Sequence, residues 1–280
     1  MNIQTLIRDG SLILKRNKIK SYKLDSEILM SKVISKDRKY VIMNPSEVLN
    51  NDSLKKYKIL VKERSKGKPI AYMINKKYFW KYEFYISNEV LIPRPDTELI
   101  IDEALRLLKN RNNLHVLDIG IGSGCILLSI LKEKKNFKGI GIDISKKCIE
   151  ISKFNAENLG LKNRVKLMKT DVDNFCYGKY DLIISNPPYI NKYDLKYLDR
   201  DVINFEPKLA LDGGLDGLSE IRKTINKSSE LIKKKGKFIL EIAFDQKHKV
   251  IKLLKSKGFY INKVLKDFAK KDRCIVSTKI

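Results

Sequence analysis

From about residue 113 to the C-terminus, short apolar runs alternate with helix-periodic stretches, and no other feature of the chain limits its fold so strongly. The runs are Val116–Ile119, Ile140–Ile144, Val165–Met168, Leu182–Ile184 and Phe238–Ile242, and Cys274–Val276 closes the set. Helical spacing fills Ile126–Lys132 and Lys146–Leu159 between them. Strands that are apolar throughout, separated by helices, predict an α/β fold: a parallel sheet with helices packed on it.

The first 70 residues follow a different rule. Ile3, Leu6, Ile7 and Leu12–Leu14 form one apolar helical face, and Leu29, Met30, Val33 and Ile34 form a second. Pro45-Ser46-Glu47 is expected to open a third, short helix. A fourth runs from about Leu54 to Arg64 and stops at Ser65-Lys66-Gly67-Lys68-Pro69. Residues 1–70 therefore predict a small helical bundle. Residues 71–92 are dense in aromatics (Tyr72, Tyr78, Phe79, Trp80, Tyr82, Phe84, Tyr85) and predict a linking β-hairpin, with a base-stacking platform as the alternative. Residues 93–280 form the α/β domain.

Composition narrows the function classes. No apolar run approaches the roughly 20 residues a membrane helix needs, and the N-terminus lacks a secretory signal. The expectation is a cytoplasmic protein. Cys125, Cys148, Cys176 and Cys274 are widely spaced, which speaks against a zinc site or a disulfide framework. His115 and His248 are the only histidines, and neither is expected to be catalytic. The formal net charge is +25, nearly all of the excess being lysine. That leaves weak polyanion or ribosome affinity open beside simple compositional drift.

The first strand of the α/β domain runs into Asp118-Ile119-Gly120-Ile121-Gly122-Ser123-Gly124. A glycine turn between a strand and a helix lets the backbone approach a nucleotide-type ligand, with the helix N-terminus facing it. Cys125 stands where a dinucleotide fingerprint would end, so the G-x-G-x-G form preceded by Asp118 favours S-adenosylmethionine over NAD. The second strand ends at Asp143, placed to accept from ribose hydroxyls, and the third at Thr170-Asp171, placed to accept from an adenine amine.

The fourth strand ends in Asn186-Pro187-Pro188-Tyr189. Two prolines remove two N–H donors. What remains is a set of acceptors, the Asn186 side-chain oxygen and the Pro187 carbonyl, with an aromatic face from Tyr189. Such a set suits a planar NH2 group whose nitrogen gains positive charge as it attacks a sulfonium methyl. Asn186, Pro187 and Tyr189 are the candidate catalytic residues, and Pro188 joins them in holding the acceptor. Asn186 also borders the cofactor side. No metal is expected.

These residues resemble the release-factor glutamine N5-methyltransferases over nearly the whole chain. The markers include Gly67 to Tyr72, Phe79-Trp80, Ile92-Pro93-Arg94-Pro95-Asp96-Thr97-Glu98, Asp118 to Gly124 and Asn186 to Ile190. Phe205-Glu206-Pro207, Gly213 to Gly217 and the tail Asp267-Phe268-Ala269 with Asp272-Arg273 continue the match. The resemblance implies a helical N-terminal domain that docks the substrate protein and a C-terminal, Rossmann-like class I methyltransferase domain. It implies that Gly120, Ile121, Gly122, Ser123, Gly124, Asp143 and Asp171 hold S-adenosylmethionine, and that Asn186 to Tyr189 hold a glutamine of class I release factors. It further inclines Glu206 toward bracing the acceptor loop. Lys270-Lys271 departs from the family by replacing a glycine-containing pair. The rival readings are a nucleic-acid adenine-N6 methyltransferase, glutamine methylation of a ribosomal protein, and a non-enzymatic ribosome-binding module.

Overall fold

The computed structural model describes all residues from 1 to 280. The chain divides into two compact units: Met1–Lys76 with Asp199–Phe205, and Lys77–Leu198 with Glu206–Ile280. The helical unit thus reaches Lys76 rather than residue 70, and it takes in a seven-residue piece from far along the chain.

In the first unit, α1 (Ile3–Arg16), α2 (Tyr22–Ile34), α3 (Arg38–Met43), α4 (Asn51–Ser65) and α5 (Ile70–Ile74) surround a core of Ile3, Leu6, Leu14, Leu29, Met30, Tyr57 and Val61. The Asn2 side chain caps α1 by accepting the Thr5 N–H at 2.9 Å, a contact typically worth about 1 kcal/mol. Pro45 does not open a helix; the short helix is α3, which ends before it. Instead the carbonyls of Pro45 and Glu47 accept the N–H groups of Gln4 and Ile3 at 3.0 and 2.9 Å. These are first-turn donors of α1 that no helical carbonyl can satisfy, so residues 45–48 form a turn and an isolated bridge from Val48 to Asn2 rather than a helix. Gly10 keeps α1 close to its neighbours, since a Cβ there would lie 2.3 Å from the Tyr57 hydroxyl.

Arg64 is buried at the end of α4. Its Nε donates to Asp25 at 2.7 Å, and its Nη1 donates to the Lys68 carbonyl at 3.1 Å and to Asp201 at 3.2 Å. Asp201 lies in α9 (Arg200–Phe205), so this cation ties the distant segment into the helical unit.

The second unit begins with the hairpin β1 (Lys76–Phe79) and β2 (Tyr82–Tyr85). Phe79 and Phe84 are buried and meet edge to face at 6.3 Å. The aromatics are those of a half-buried ribbon. Residues 71–74, placed in the hairpin from sequence, belong to α5.

A seven-stranded sheet follows, in the order β5-β4-β3-β6-β7-β9-β8. Its strands are β3 (His115–Ile119), β4 (Lys138–Asp143), β5 (Val165–Lys169), β6 (Tyr180–Ser185), β7 (Ile232–Glu241), β8 (Phe259–Lys266) and β9 (Asp272–Lys279). The first five are parallel, and β9 runs antiparallel to both β7 and β8. Alternate residues face opposite sides. Val116, Leu182, Ile184, Ile239 and Val276 pack with α6 (Glu98–Leu107), α7 (Cys125–Glu133) and α8 (Lys146–Asn158). Leu117, Ile183, Phe238, Leu240 and Ile275 pack with α10 (Ser219–Leu231) and α11 (Lys247–Ser256). No helix is long and apolar enough to cross a membrane. All four cysteines are free, and only Cys176 is exposed.

Candidate active site

The strand order reverses between β3 and β6: the chain steps one way through β4 and β5, then returns to the other side. In an open parallel sheet the crevice at that reversal, outside the carboxyl ends of the strands, is where ligands bind. Both loops singled out from sequence begin there. The Ser185 hydroxyl donates to the Ile119 carbonyl at 2.7 Å and pins the two strand ends together.

The glycine turn is held by its own backbone. The Gly120 and Ile121 N–H groups both donate to the Ile142 carbonyl at 2.9 Å, and the Gly124 N–H donates to the Ile121 carbonyl at 2.9 Å. Gly120, Gly122 and Gly124 have φ of +77°, +55° and +83°, a region that favours glycine. A Cβ on Gly120 or Gly122 would meet nothing within 4 Å, so these two present bare backbone to open space. A Cβ on Gly124 would instead strike Leu128 at 2.7 Å, which makes Gly124 a packing residue. Ser123 and Ile121 are buried. The Ile121 side chain covers Gly141 of β4, where a Cβ would lie 2.1 Å from Ile121 Cδ1 and 2.9 Å from Leu167 Cδ2. Gly141→Ala is expected to cost about 1–3 kcal/mol through overpacking and to loosen ligand binding by displacing Ile121. Thermal unfolding and calorimetry check this, and an unchanged Tm would show that β4 does not support the turn.

Asp143 ends β4. Its Oδ2 accepts the Gly122 N–H at 2.9 Å and its Oδ1 accepts the Ser145 N–H at 2.9 Å. Burial raises its carboxyl, and those two N–H groups pull it back down. Asp143 therefore clamps the glycine turn before it meets any ligand, and each oxygen retains a second lone pair. Asp171 follows β5, where its Oδ1 closes a turn on the Asp173 N–H at 2.8 Å. Asp118, in β3, is buried with neither oxygen hydrogen-bonded, and burial lifts its carboxyl to about 8.

On the other side of the crevice, Pro187 is buried while Asn186, Pro188 and Tyr189 are half-buried. The Asn186 Nδ2 donates to Thr97 Oγ1 at 3.2 Å, which leaves Oδ1 as the free end of the amide. The Tyr189 hydroxyl donates to Glu241 Oε1 at 3.2 Å. The Tyr189 carbonyl accepts from Gln246 Nε2 at 2.9 Å, and the same nitrogen donates to the Gly217 carbonyl at 3.0 Å. Gly213 and Gly217 close over this loop: Cβ atoms there would lie 2.9 Å from Tyr189 Cα and 2.6 Å from its carbonyl oxygen. The Gly213-Gly214-Leu215-Asp216-Gly217 stretch is thus a backbone lid on Tyr189.

Further residues hold the frame. Glu206 Oε1 accepts from Arg94 at 2.5 Å, and its Oε2 accepts the Ile92 N–H at 3.3 Å. It braces the segment leading to Thr97 rather than the Asn-Pro-Pro-Tyr loop itself. Asn155 of α8 donates to the Ser123 carbonyl and to the Tyr85 carbonyl, both at 2.9 Å, joining the glycine turn to the hairpin. Arg273 bridges Asp267 at 2.9 Å and Asp96 at 3.5 Å. Lys270 in that tail sits at φ +61°, the conformation a glycine adopts freely.

Thr97 in this role, Glu241, Gln246 and Asn155 escape sequence reasoning. Glu241 lies inside the apolar run Phe238–Ile242, and a charged residue within such a run was the available signal. Its carboxyl is raised to about 7 by burial, with Thr97, Tyr189 and Arg273 pulling it down and Asp96 pushing it up.

Comparison with known proteins identifies the family and the fold. A family model described as Methyltransferase small domain matches residues 98–215, and one described as PrmC N-terminal domain matches residues 5–74. The release factor glutamine methyltransferase of Clostridium acetobutylicum is 36% identical, covering 100% of this chain and 99% of its own. That of Buchnera aphidicola subsp. Baizongia pistaciae is 38% identical over 100% of both. Among solved structures, a ribosomal protein L11 methylase from Lactobacillus delbrueckii subsp. bulgaricus aligns with TM-score 0.52 at 18% identity, over 70% of this chain and 84% of its own. A methyltransferase from Pyrococcus furiosus aligns with TM-score 0.53 at 18% identity, over 70% and 88%. These two share the fold. With the sequence identity to the first two sustained from end to end, the chain belongs to the release factor glutamine methyltransferase family.

Proposed function

We propose that the protein transfers a methyl group from S-adenosylmethionine to the side-chain amide nitrogen of the glutamine in the Gly-Gly-Gln motif of class I peptide chain release factors. The observation that carries this reading is the Asn186 amide. Its NH2 is engaged by Thr97, so its oxygen is the end offered to an incoming group. That polarity suits an N–H donor as the acceptor substrate.

The other side of the crevice fits the cofactor. Bare backbone at Gly120 and Gly122 admits a close ligand, Asp143 keeps lone pairs for ribose hydroxyls, and Asp171 lies at the adenine end. The unpartnered Asp118 oxygens favour a ligand that brings an ammonium group. When bound, the cofactor supplies a sulfonium-activated methyl group.

The chain's own residues do the rest. Asn186 Oδ1 and the Pro187 carbonyl each accept one N–H of the glutamine amide. As the nitrogen pyramidalises and gains positive charge those two hydrogen bonds strengthen, which is stabilisation specific to the transition state. Tyr189 and Pro188 wall the amide in and hold it in line. The N-methylated amide cation is a strong acid, so its proton leaves without a dedicated base. The helical unit, Met1–Lys76 with Asp199–Phe205, serves as the docking surface for the release factor, and the hairpin of β1 and β2 leads to the catalytic domain.

The test is mass spectrometry of a purified class I release factor after incubation with the protein and S-adenosylmethionine. One added methyl on the Gly-Gly-Gln glutamine is expected. Methylation of a ribosomal protein or of adenine in nucleic acid, with the release factor unmodified, would overturn the assignment.

A further inference from the structure

The two ends of the parallel strands carry opposite charge. The carboxyl ends, where the candidate active site lies, bring Asp118, Asp143, Asp171 and Glu241. The amino ends are basic. Lys138 opens β4, Arg164 and Lys166 flank the first residue of β5, Lys179 precedes β6, and Lys233 to Lys235 extend the row along the start of β7. Parallel strands lie about 4.8 Å apart. In the order β5-β4-β3-β6-β7 the row therefore runs for about 19 Å.

A cavity of about 440 Å³ opens in this edge, among the starts of β3, β4, β5 and β6. Arg164 is the unusual residue in its wall. It is half-buried, and burial pulls its guanidinium below the usual arginine range. Its Nη1 donates to the carbonyls of Lys134, Lys135 and Phe137 at 3.0, 2.9 and 3.5 Å, which fixes the loop before β4. Its Nε and Nη2 meet no protein acceptor, and no carboxylate pairs with it. Asp181 of β6 is already spent on Lys233 at 2.9 Å and on the His115 N–H at 3.0 Å. Lys138, Lys166 and Lys179 are exposed and in no ion pair, although Lys179 also reaches the Glu230 carbonyl. A desolvated guanidinium fork without an anion, set among free ammonium groups, matches a phosphate.

An aromatic ring completes the cavity. Tyr177 is 57% exposed, and Lys166 Nζ lies 4.8 Å from its ring centroid. Cations that follow a backbone, interleaved with a ring on which a base stacks, are what hold a single nucleic-acid strand. A flat anionic membrane would not enter the cavity, and a duplex keeps its bases from the ring.

We propose that the amino edge of the sheet binds single-stranded nucleic acid, with Arg164 on a phosphate in the cavity, a base on Tyr177, and Lys138, Lys166 and Lys179 on the flanking phosphates. Strands of five or six residues separate this edge from the cofactor crevice by about 17–20 Å. A bound strand therefore leaves the crevice open.

Fluorescence anisotropy tests this with the full-length protein and a labelled single strand of about 12 nucleotides, as RNA and as DNA of the same sequence. Micromolar binding is expected at about 50 mM salt, and log Kobs should fall against log salt with a slope of about −3, for four phosphates. The tighter of the two strands names the natural ligand. Lys138→Gln with Lys166→Gln should flatten the slope by about 1.4 and weaken binding by roughly tenfold or more. Lys249→Gln with Lys252→Gln removes the same charge from the exposed side of α11 and should change neither by a comparable amount. Tyr177→Ser should weaken binding by about tenfold, and Tyr177→Phe, which keeps the ring, should not. Arg164→Lys keeps the charge, loses the fork and should also bind more weakly. Thermal unfolding confirms that each variant is folded, and the lysine pairs carry the test if Arg164→Lys is not.

Equal losses in the two lysine pairs would mean diffuse attraction to the whole surface and overturn the site. So would a duplex that binds more tightly than the single strand, or a Tyr177→Ser variant that binds like the wild type. A strand that competes with S-adenosylmethionine would lie at the carboxyl edge instead and overturn this surface. The proposed function is read separately: Lys138→Gln with Lys166→Gln should methylate a release factor at the wild-type rate, and a wild type that fails to do so overturns that reading while leaving the nucleic-acid edge standing.

Discussion

Replacing Asn186 with alanine is expected to lower turnover on a release factor by roughly two to three orders of magnitude, the usual cost of removing one group that stabilises transition-state charge. The expectation rests on which interactions the substitution touches. Asn186 makes one protein hydrogen bond through its side chain, to Thr97 at 3.2 Å. Losing it costs the fold about 1 kcal/mol. The glycine turn and Asp143 are bonded to each other and to Ile142, with no help from Asn186. The variant should therefore stay folded and keep most of its affinity for the cofactor. Pro187 still offers its carbonyl, so residual activity should persist. Single-turnover kinetics with calorimetry separates the two effects. A variant that turns over at close to the wild-type rate would remove Asn186 from the acceptor site.

The residues legible from sequence share one property: each ends a strand. In a parallel sheet the carboxyl ends of successive strands line one edge. A glycine turn after β3, an Asp after β4, an Asp after β5 and Asn-Pro-Pro-Tyr after β6 must therefore converge, whatever the loop details. Their partners obey no such rule. Thr97 precedes a helix, Glu241 hides in an apolar run, and Gln246 opens α11. Their meeting at Asn186 and Tyr189 depends on how β7 is laid against β6, which local pattern does not encode.

The missed elements have similar causes. Edge strand β8 exposes Tyr260, Asn262 and Lys266 and lacks the apolar continuity of the inner strands. Residues 45–48 look like a helix start because Pro and Ser favour that position, yet the donors at the head of α1 claim their carbonyls. The placement of α9 with the helical unit follows from Arg64 and Asp201, 137 positions apart. Glu206 is a milder case. The family resemblance inclines it to bracing the acceptor loop, and the object braced is Arg94 and the Ile92 backbone.

The second large effect concerns Asp118, whose burial should make the ligand-free protein less stable as pH rises. Asp118 is 1% exposed and neither of its oxygens is hydrogen-bonded. Burial lifts its carboxyl from the ordinary 3.8 to about 8. Between those values the folded chain holds a proton that the unfolded chain has released. Stability is therefore highest below the unfolded value and falls as pH rises through the folded one. At about 1.4 kcal/mol per unit the ceiling is roughly 6 kcal/mol. Relaxation around a newly formed charge should reduce the loss to about 3 kcal/mol. Glu241 adds a smaller loss of the same sign, between 4.5 and about 7.

Asp118→Asn is neutral at every pH and nearly the same shape as the protonated acid. It should match the wild type only below the unfolded value of 3.8, pull ahead as pH rises from there, and exceed its unfolding free energy by about 3 kcal/mol at pH 8. Keeping to pH 8 avoids the slope that unfolded thiols add nearer 9.0, since folded Cys125 is held up at about 12. The same substitution should weaken cofactor binding, because it removes the charge that an ammonium group would pair with. Wild-type binding at pH 7 should accordingly release a proton, visible as a dependence of calorimetric enthalpy on the buffer's ionisation heat. Stability gained together with binding lost would mark Asp118 as a site residue maintained at the expense of the fold. A difference between variant and wild type that does not change with pH would mean that Asp118 is already compensated within the protein, and that the cofactor's ammonium group has another partner.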